Sequence, residues 1–323
     1  MAELRTELHP DVAADLERKR AAGAMVERDQ LSIEQVRNEN VERNARLGFL
    51  EDPEPVETVR DLSIKGPGGG ISVRLYVPEG EPPFPILVWF HGGGWIRGSI
   101  DGSDPICRRL ANAVGCSVVS AKYRLAPEHP FPAAVEDAYA AVEWAANNPH
   151  AVRGDPDRLA VGGKSAGGTQ AAVAALMARD RGGPDVDFQV LGAPVTDYSF
   201  DTVSYRENAE GYGLTRRAME YNWDTYLQNP IHGKHPYAAP LQARDLSGLP
   251  PAMVLTAGFD PLRDDGVAYA ERLRDAGVET EHRNYPEMIH GLLGSAYFVQ
   301  DVGRTREAVE DIGAALRTAF GTA

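Results

Sequence analysis

Leu159-Ala160-Val161-Gly162-Gly163-Lys164-Ser165-Ala166-Gly167-Gly168 is the stretch that decides the fold. Four apolar or small residues of strand character run into a serine flanked by glycines, and from Ala166 the composition turns helical. A sharp strand-to-helix turn forces its central residue into strained backbone angles, and the glycines let the neighbouring backbone close in. Such a turn lifts the serine hydroxyl above the strand ends, with the positive end of a helix dipole behind it. A glycine-rich turn can also cradle phosphate. The stretch is not G-x-G-x-x-G, however, and where G-x-x-x-x-G-K-[ST] needs its first glycine this chain has Arg158. The G-x-S-x-G reading, a nucleophile elbow, is the one that fits.

Upstream, Phe90-His91-Gly92-Gly93-Gly94-Trp95 follows directly on an apolar strand, Ile86 to Phe90. Consecutive glycine N–H groups at a strand end supply what a tetrahedral oxyanion needs, two or three preorganised donors. Ala166 N–H is expected to give one donor and two of the three glycines the others. His91 precedes the glycines, so its ring is expected to fix the loop and not to act as a base.

Short apolar strands alternate with helical stretches on both sides of the elbow: helix 104 to 114, strand Ser117 to Lys122, helix 133 to 147, helix 166 to 180 and strand Gln189 to Ala193. Strands at Ala252 to Ala257 and Glu279 to Tyr285 and helices at 262 to 276 and 303 to 319 continue the series. That alternation predicts right-handed βαβ units and an α/β fold with a mostly parallel central sheet flanked by helices. The apolar alternation from Val56 to Pro78, broken at Gly66 to Gly70, predicts a hairpin that opens the sheet. Residues 11 to 23 and 31 to 46 have helical spacing, and Ser32 with Gln35 reads as a capping box. Between Tyr198 and Pro251 the rhythm fails, and Phe200, Tyr205, Tyr212, Tyr221, Trp223 and Tyr226 accumulate around a helix near 215 to 228. An insertion this long is a lid candidate, the lesser alternative being that its aromatics simply pack on the core. The expected organisation is N-terminal cap helices over 1–50, a catalytic core over 51–197 and 251–323, and a cap insertion with its return segment over 198–250.

A serine nucleophile needs a base and an acid to orient it. Asp260 comes first after the strand Ala252 to Ala257, whereas Asp264 and Asp265 fall in the next helix start, where carboxylates complement the dipole. Asp197, after the preceding strand, is the weaker rival. Among eight histidines, His290 sits in a loop beyond the last strand and completes the chain order Ser165, Asp260, His290. His9, His129, His150, His232, His235 and His282 read as surface or loop residues. His232 and His235 are spaced H-x-x-H but lack a helix or a third ligand, so no metal is expected.

Bulk composition sets the remaining bounds. A chain of 323 residues, 43% hydrophobic and 25% charged, suits a soluble globular enzyme with one large core plus a cap. A net charge of −14 argues against nucleic acid as a partner. Cys107 and Cys116 make neither a disulfide framework nor a zinc spacing, and read as buried small apolar residues. The opening, Met1 to Pro10, is polar, and no apolar run is long enough to span a bilayer, which points to the cytoplasm and away from membranes.

Taken together, H-G-G-G-W at 91 to 95, Y-R-L-A-P-E-H-P-F-P at 123 to 132, G-K-S-A-G-G at 163 to 168, D-P-L-R-D at 260 to 264 and H-G at 290 to 291 resemble the bacterial hormone-sensitive-lipase family of carboxylesterases. The resemblance covers nearly the whole chain. It implies an α/β-hydrolase fold with Ser165, Asp260 and His290 as the catalytic triad and with Gly93, Gly94 and Ala166 as the oxyanion hole. It also implies a cap from the N-terminal helices and the insertion after the sixth strand, and hydrolysis of short-to-medium acyl esters without a cofactor. Two positions depart from the pattern: Lys164 and Lys122 stand where the family often has Asp. An amidase or deacetylase would use the same triad, and a ligand receptor or lyase could share the fold. Oligomeric state, including a homo-oligomer, stays open.

Overall fold

The expected hairpin forms β1 (Thr58–Gly66) and β2 (Gly69–Val77), paired antiparallel from Thr58 opposite Val77 to Gly66 opposite Gly69. It belongs to a computed structural model that describes residues 5–22, 27–38, 53–294 and 303–322. The strands that follow are β3 (Phe84–Phe90), β4 (Ser117–Ala121), β5 (Gly154–Lys164), β6 (Phe188–Gly192), β7 (Ala252–Phe259) and β8 (Thr280–Ile289). All eight join one sheet in the order β1-β2-β4-β3-β5-β6-β7-β8. β2 meets β4 antiparallel, and every pairing from β4 through β8 is parallel.

The central strands β3, β4, β6 and β7 are buried along their whole length, as continuous apolar runs must be when helices cover both faces of a parallel sheet. Side-chain alternation divides β3 between the two faces. Ile86, Val88 and Phe90 join one core with the helices α3 (Ala133–Asn147), α4 (Ala166–Arg181) and α7 (Arg263–Asp275). Leu87 and Trp89 join the other with α2 (Asp104–Val114) and α8 (Gly303–Ala319). The boundaries of α2, α3 and α8 agree with those read from the sequence.

The N-terminal helix α1 (Pro10–Ala21) buries Val12 and Leu16 in the second core. Further on, Ser32 N–H donates to Gln35 Oε1 at 2.8 Å and Gln35 N–H to Ser32 Oγ at 3.2 Å, the reciprocal capping box that opens a helix described over 33–38. The remainder of the helix expected to reach residue 46 lies outside the described residues. Between β6 and β7 lie α5 (Val203–Glu207) and α6 (Arg216–Tyr226), each opened by a threonine whose hydroxyl accepts from the third residue on. The N-terminal part meets this insertion where Thr215 Oγ1 donates to Glu27 at 2.8 Å and Arg217 pairs with Asp29. Tyr205, Trp223 and Tyr226 are fully buried in the first core, so packing has claimed aromatics that the sequence left open to a lid surface.

The fold departs from expectation at β8, which runs on through Pro286 to Ile289 after a register irregularity against β7. His290 therefore follows immediately on the strand. His282, read as a surface or loop histidine, lies within β8, half-buried, with Nε2 2.8 Å from Thr256 Oγ1. Burial lowers its pKa to about 4.

Candidate active site

Ser165 sits between β5 and α4 at φ 56° and ψ −128°, a conformation that side-chain-bearing residues rarely adopt. Its N–H donates to Gly192 O at 2.7 Å, and its own carbonyl takes the first helical bond, from Thr169 N–H at 3.1 Å. The flanking glycines are explained by clearance. A Cβ on Gly167 would lie 2.1 Å from Phe90 O, and one on Gly163 would lie 2.3 Å from Gly167 O. The elbow can therefore close onto the end of β3 only with glycine at both positions.

The glycine loop leaves β3 directly beside this turn: a Cβ on Gly92 would stand 3.3 Å from Ser165 Cβ. Gly93, Gly94 and Trp95 all have positive φ, at 132°, 63° and 62°. Two anchors hold the loop. His91 stacks on Tyr123 with centroids 4.3 Å apart, its Nδ1 lies 2.8 Å from Gly92 O, and Tyr123 OH donates to His91 O at 2.8 Å. Burial pushes the His91 pKa down to about 4, so the ring is neutral at ordinary pH and serves as scaffold, as expected. Trp95 lies flat on Tyr226 at 4.4 Å and tilted against Trp223 at 4.6 Å, so helix α6 of the insertion buttresses the glycine loop.

Asp260, at the end of β7, is completely buried, with Oδ1 accepting from Leu262 N–H at 2.9 Å and Oδ2 2.7 Å from His290 Nδ1. A carboxylate only accepts, so Nδ1 carries the proton and Nε2 keeps its lone pair, the tautomer a general base requires. The turn behind His290 also touches the elbow. Leu293 lies against Gly192, whose carbonyl holds Ser165 N–H, and Lys164 Nζ donates to Gly294 O. The segments carrying the three sequence-predicted residues thus converge at the carboxyl ends of β5, β7 and β8.

The rival acids stand elsewhere. Asp197 Oδ1 accepts from Gln242 at 2.5 Å, Asp264 Oδ2 accepts from Ser204 N–H at 2.7 Å, and Asp265 accepts from Thr196 N–H at 3.4 Å. Asp265 is buried far more deeply than a helix-start carboxylate in water, and desolvation raises its pKa well above the usual range. His232 and His235 pack their rings on Phe131 at 5.6 and 5.3 Å. Among the described residues, no group of three His, Cys, Asp or Glu side chains is placed to hold a metal ion, and no helix is long and apolar enough to cross a membrane.

Sequence reasoning missed the supports of the acid loop. Asn208 Nδ2 donates to Asp260 O at 3.1 Å and Gly258 O at 3.2 Å, and Ser204 Oγ donates to Pro261 O at 2.7 Å. Both residues belong to the insertion, and nothing local marks a contact made across some fifty positions.

Comparison with known proteins adds independent findings. An alpha/beta hydrolase fold family matches residues 87–294. Esterase LipI of Mycobacterium tuberculosis is 44% identical over 246 residues, covering 75% of this chain and 77% of its own. Carboxylesterase NlhH of the same species is 45% identical over 265 residues, covering 79% of this chain and 82% of its own. The solved hyperthermophilic esterase from the archaeon Pyrobaculum calidifontis superposes with a TM-score of 0.91 at 41% identity, covering 98% of this chain and 100% of that one.

Proposed function

The chain belongs to the hormone-sensitive-lipase-like carboxylesterases of the α/β-hydrolase fold and is a serine carboxylesterase, and from that premise we propose that Ser165 is its nucleophile, His290 its general base and Asp260 the acid that orients it. The observation that carries this reading is the 2.7 Å bond from buried Asp260 to His290, on a segment in contact with the strained Ser165 turn. Ser165 Oγ attacks the ester carbonyl carbon while its proton passes to His290 Nε2. The negative charge that develops on the carbonyl oxygen is met by the N–H groups of Gly93, Gly94 and Ala166, reinforced by the N-terminus of α4. Collapse of this intermediate expels the alcohol, which takes the proton back from Nε2. Water then attacks the acyl-enzyme by the same route, giving the acid and free Ser165. Asp260 keeps its charge throughout and stabilises the imidazolium.

The substrate class is a small carboxylic ester with a short-to-medium acyl chain. In support, Tyr205, Trp223 and Tyr226 of the insertion are spent on internal packing. The segment 198–250 and the N-terminal helices act together as a cap, a reading supported by their direct contacts. Ser165→Ala is expected to lower hydrolysis of p-nitrophenyl butyrate by about 10³-fold or more with an unchanged circular dichroism spectrum. Undiminished turnover in that variant would remove Ser165 from the mechanism.

A further inference from the structure

Lys164, the residue before the nucleophile, carries the charged side chain of the quoted motif, and the mechanism leaves it unused. Its stem is packed: a Cβ on Gly92 would lie 3.5 Å from Lys164 Cγ. Its Nζ reaches across the strand ends to Gly294 O, in the turn that follows His290. The same turn seats Leu293 against Gly192, whose carbonyl holds Ser165 N–H. A half-buried ammonium is costly unless it is hydrogen-bonded, and a charge-assisted bond to a carbonyl is about twice as strong as a neutral one. Lys164 therefore favours the arrangement in which turn and elbow are joined.

We propose that Lys164 is a positioning residue whose ammonium ties the turn behind His290 to the nucleophile elbow and holds the imidazole in register with Ser165. This rests on Ser165 and His290 being nucleophile and base. The titratable groups facing the ammonium are the Cys107 thiol on α2 and the His91 imidazole in the glycine loop, with His290 at the root of the tethered turn. Burial raises the thiol to about 12 and lowers His91 to about 4, so both are neutral near pH 7. Burial lowers Lys164 itself to about 8. Above that pH the tether loses its charge assistance, and a base displaced by a fraction of an ångström loses rate steeply.

The test measures kcat and KM for p-nitrophenyl butyrate from about pH 5.5 to about pH 10 in the full-length wild type, K164M and K164R, with spontaneous hydrolysis subtracted. In the wild type kcat falls on an alkaline limb with its midpoint near pH 8. K164M lacks that limb and has kcat lower by about tenfold at pH 7, with KM changed by less than about threefold, the signature of a lost geometric effect and not of lost binding. K164R, whose guanidinium stays charged, keeps near-normal kcat at pH 7 and moves the limb to higher pH. A wild-type profile flat to pH 10, or wild-type kcat in K164M, overturns the proposal. Each variant is also treated with a serine-directed phosphonate and the adduct located by mass spectrometry, a measurement that needs only the folded protein. Slower labelling of Ser165 in K164M supports the tether and labelling at the wild-type rate defeats it, whereas an adduct absent from wild-type Ser165 defeats the assigned nucleophile.

Discussion

At Asp260, which is fully buried, each carboxylate oxygen has its own partner, Leu262 N–H on one and His290 on the other. Asp260→Asn keeps the shape but offers His290 an N–H donor or a weaker acceptor, so the imidazole loses its tautomer control. We expect kcat to fall by about 10³ to 10⁴ with KM little changed, measured by steady-state kinetics on a short ester. Gly93 tests the donor loop in the same way. An alanine there faces a φ of 132° and a Cβ 2.1 Å from Arg97 O, so the backbone must move. Gly93→Ala is expected to lower kcat by about 10²- to 10³-fold, the cost of a misplaced donor. The three residues proposed as the triad drew notice in the sequence because each occupies a place that chain order and strand ends define: Ser165 after β5, Asp260 after β7, His290 after β8. Asn208, which supports the Asp260 loop, and Tyr123, which supports the glycine loop, were not legible, since their contacts to Asp260 O and His91 O exist only once the chain has folded.

Among the elements, helix α6 shows how packing decides what composition leaves open. Trp223 and Tyr226 give it an aromatic face, and sequence alone cannot say whether such a face closes over substrate or beds into the core. Trp95, held at positive φ, settles the matter by stacking on Tyr226 and contacting Trp223, so the helix is part of the wall behind the donor loop. Trp223→Ala should accordingly destabilise the fold by about 3–5 kcal/mol, read as a lowered urea midpoint with an unchanged slope. A change under about 0.5 kcal/mol would show that the helix is only loosely docked. The core helices α2 and α8 were legible to within a residue or two because burial on one side imposes their period, whereas α4, buried continuously from Ala166 to Ala178, was legible from the elbow that precedes it. The end of β8 was not: Pro286 breaks the apolar pattern, yet the strand resumes and reaches Ile289 beside Phe259.

For the molecule as a whole, buried titratable groups couple folding to pH. His282 has a pKa near 4 when folded, because burial disfavours its charge, against about 6.5 when unfolded. Between those values the unfolded chain binds a proton that the native protein refuses, so the stability this group contributes is full above pH 6.5 and falls as pH drops toward 4. His282→Gln should remove about one proton, or about 1.4 kcal/mol per pH unit, from the slope of unfolding free energy across that window. Urea titrations of both proteins at several pH values read this difference directly, and parallel slopes would refute it. The α/β class itself was legible from the alternation of runs alone, and the two antiparallel partners of the sheet followed from the glycine break at 66 to 70. What no local pattern could reveal was how residues 5–9 are used.

Residues 5–9 run along the end of β8 and the residue before Asp260. Thr6 N–H donates to Pro286 O at 3.2 Å, His9 N–H donates to Glu287 O at 3.0 Å, and the Arg5 guanidinium lies 4.3 Å above the Phe259 ring, one position before Asp260. Anyone trimming the protein to ease crystallisation, or fusing a purification handle at its front, will be working on the outer brace of the histidine's partner. Handles belong at the far end of the polypeptide, and a shortened version that folds but turns over slowly should be examined first for a slackened Asp260.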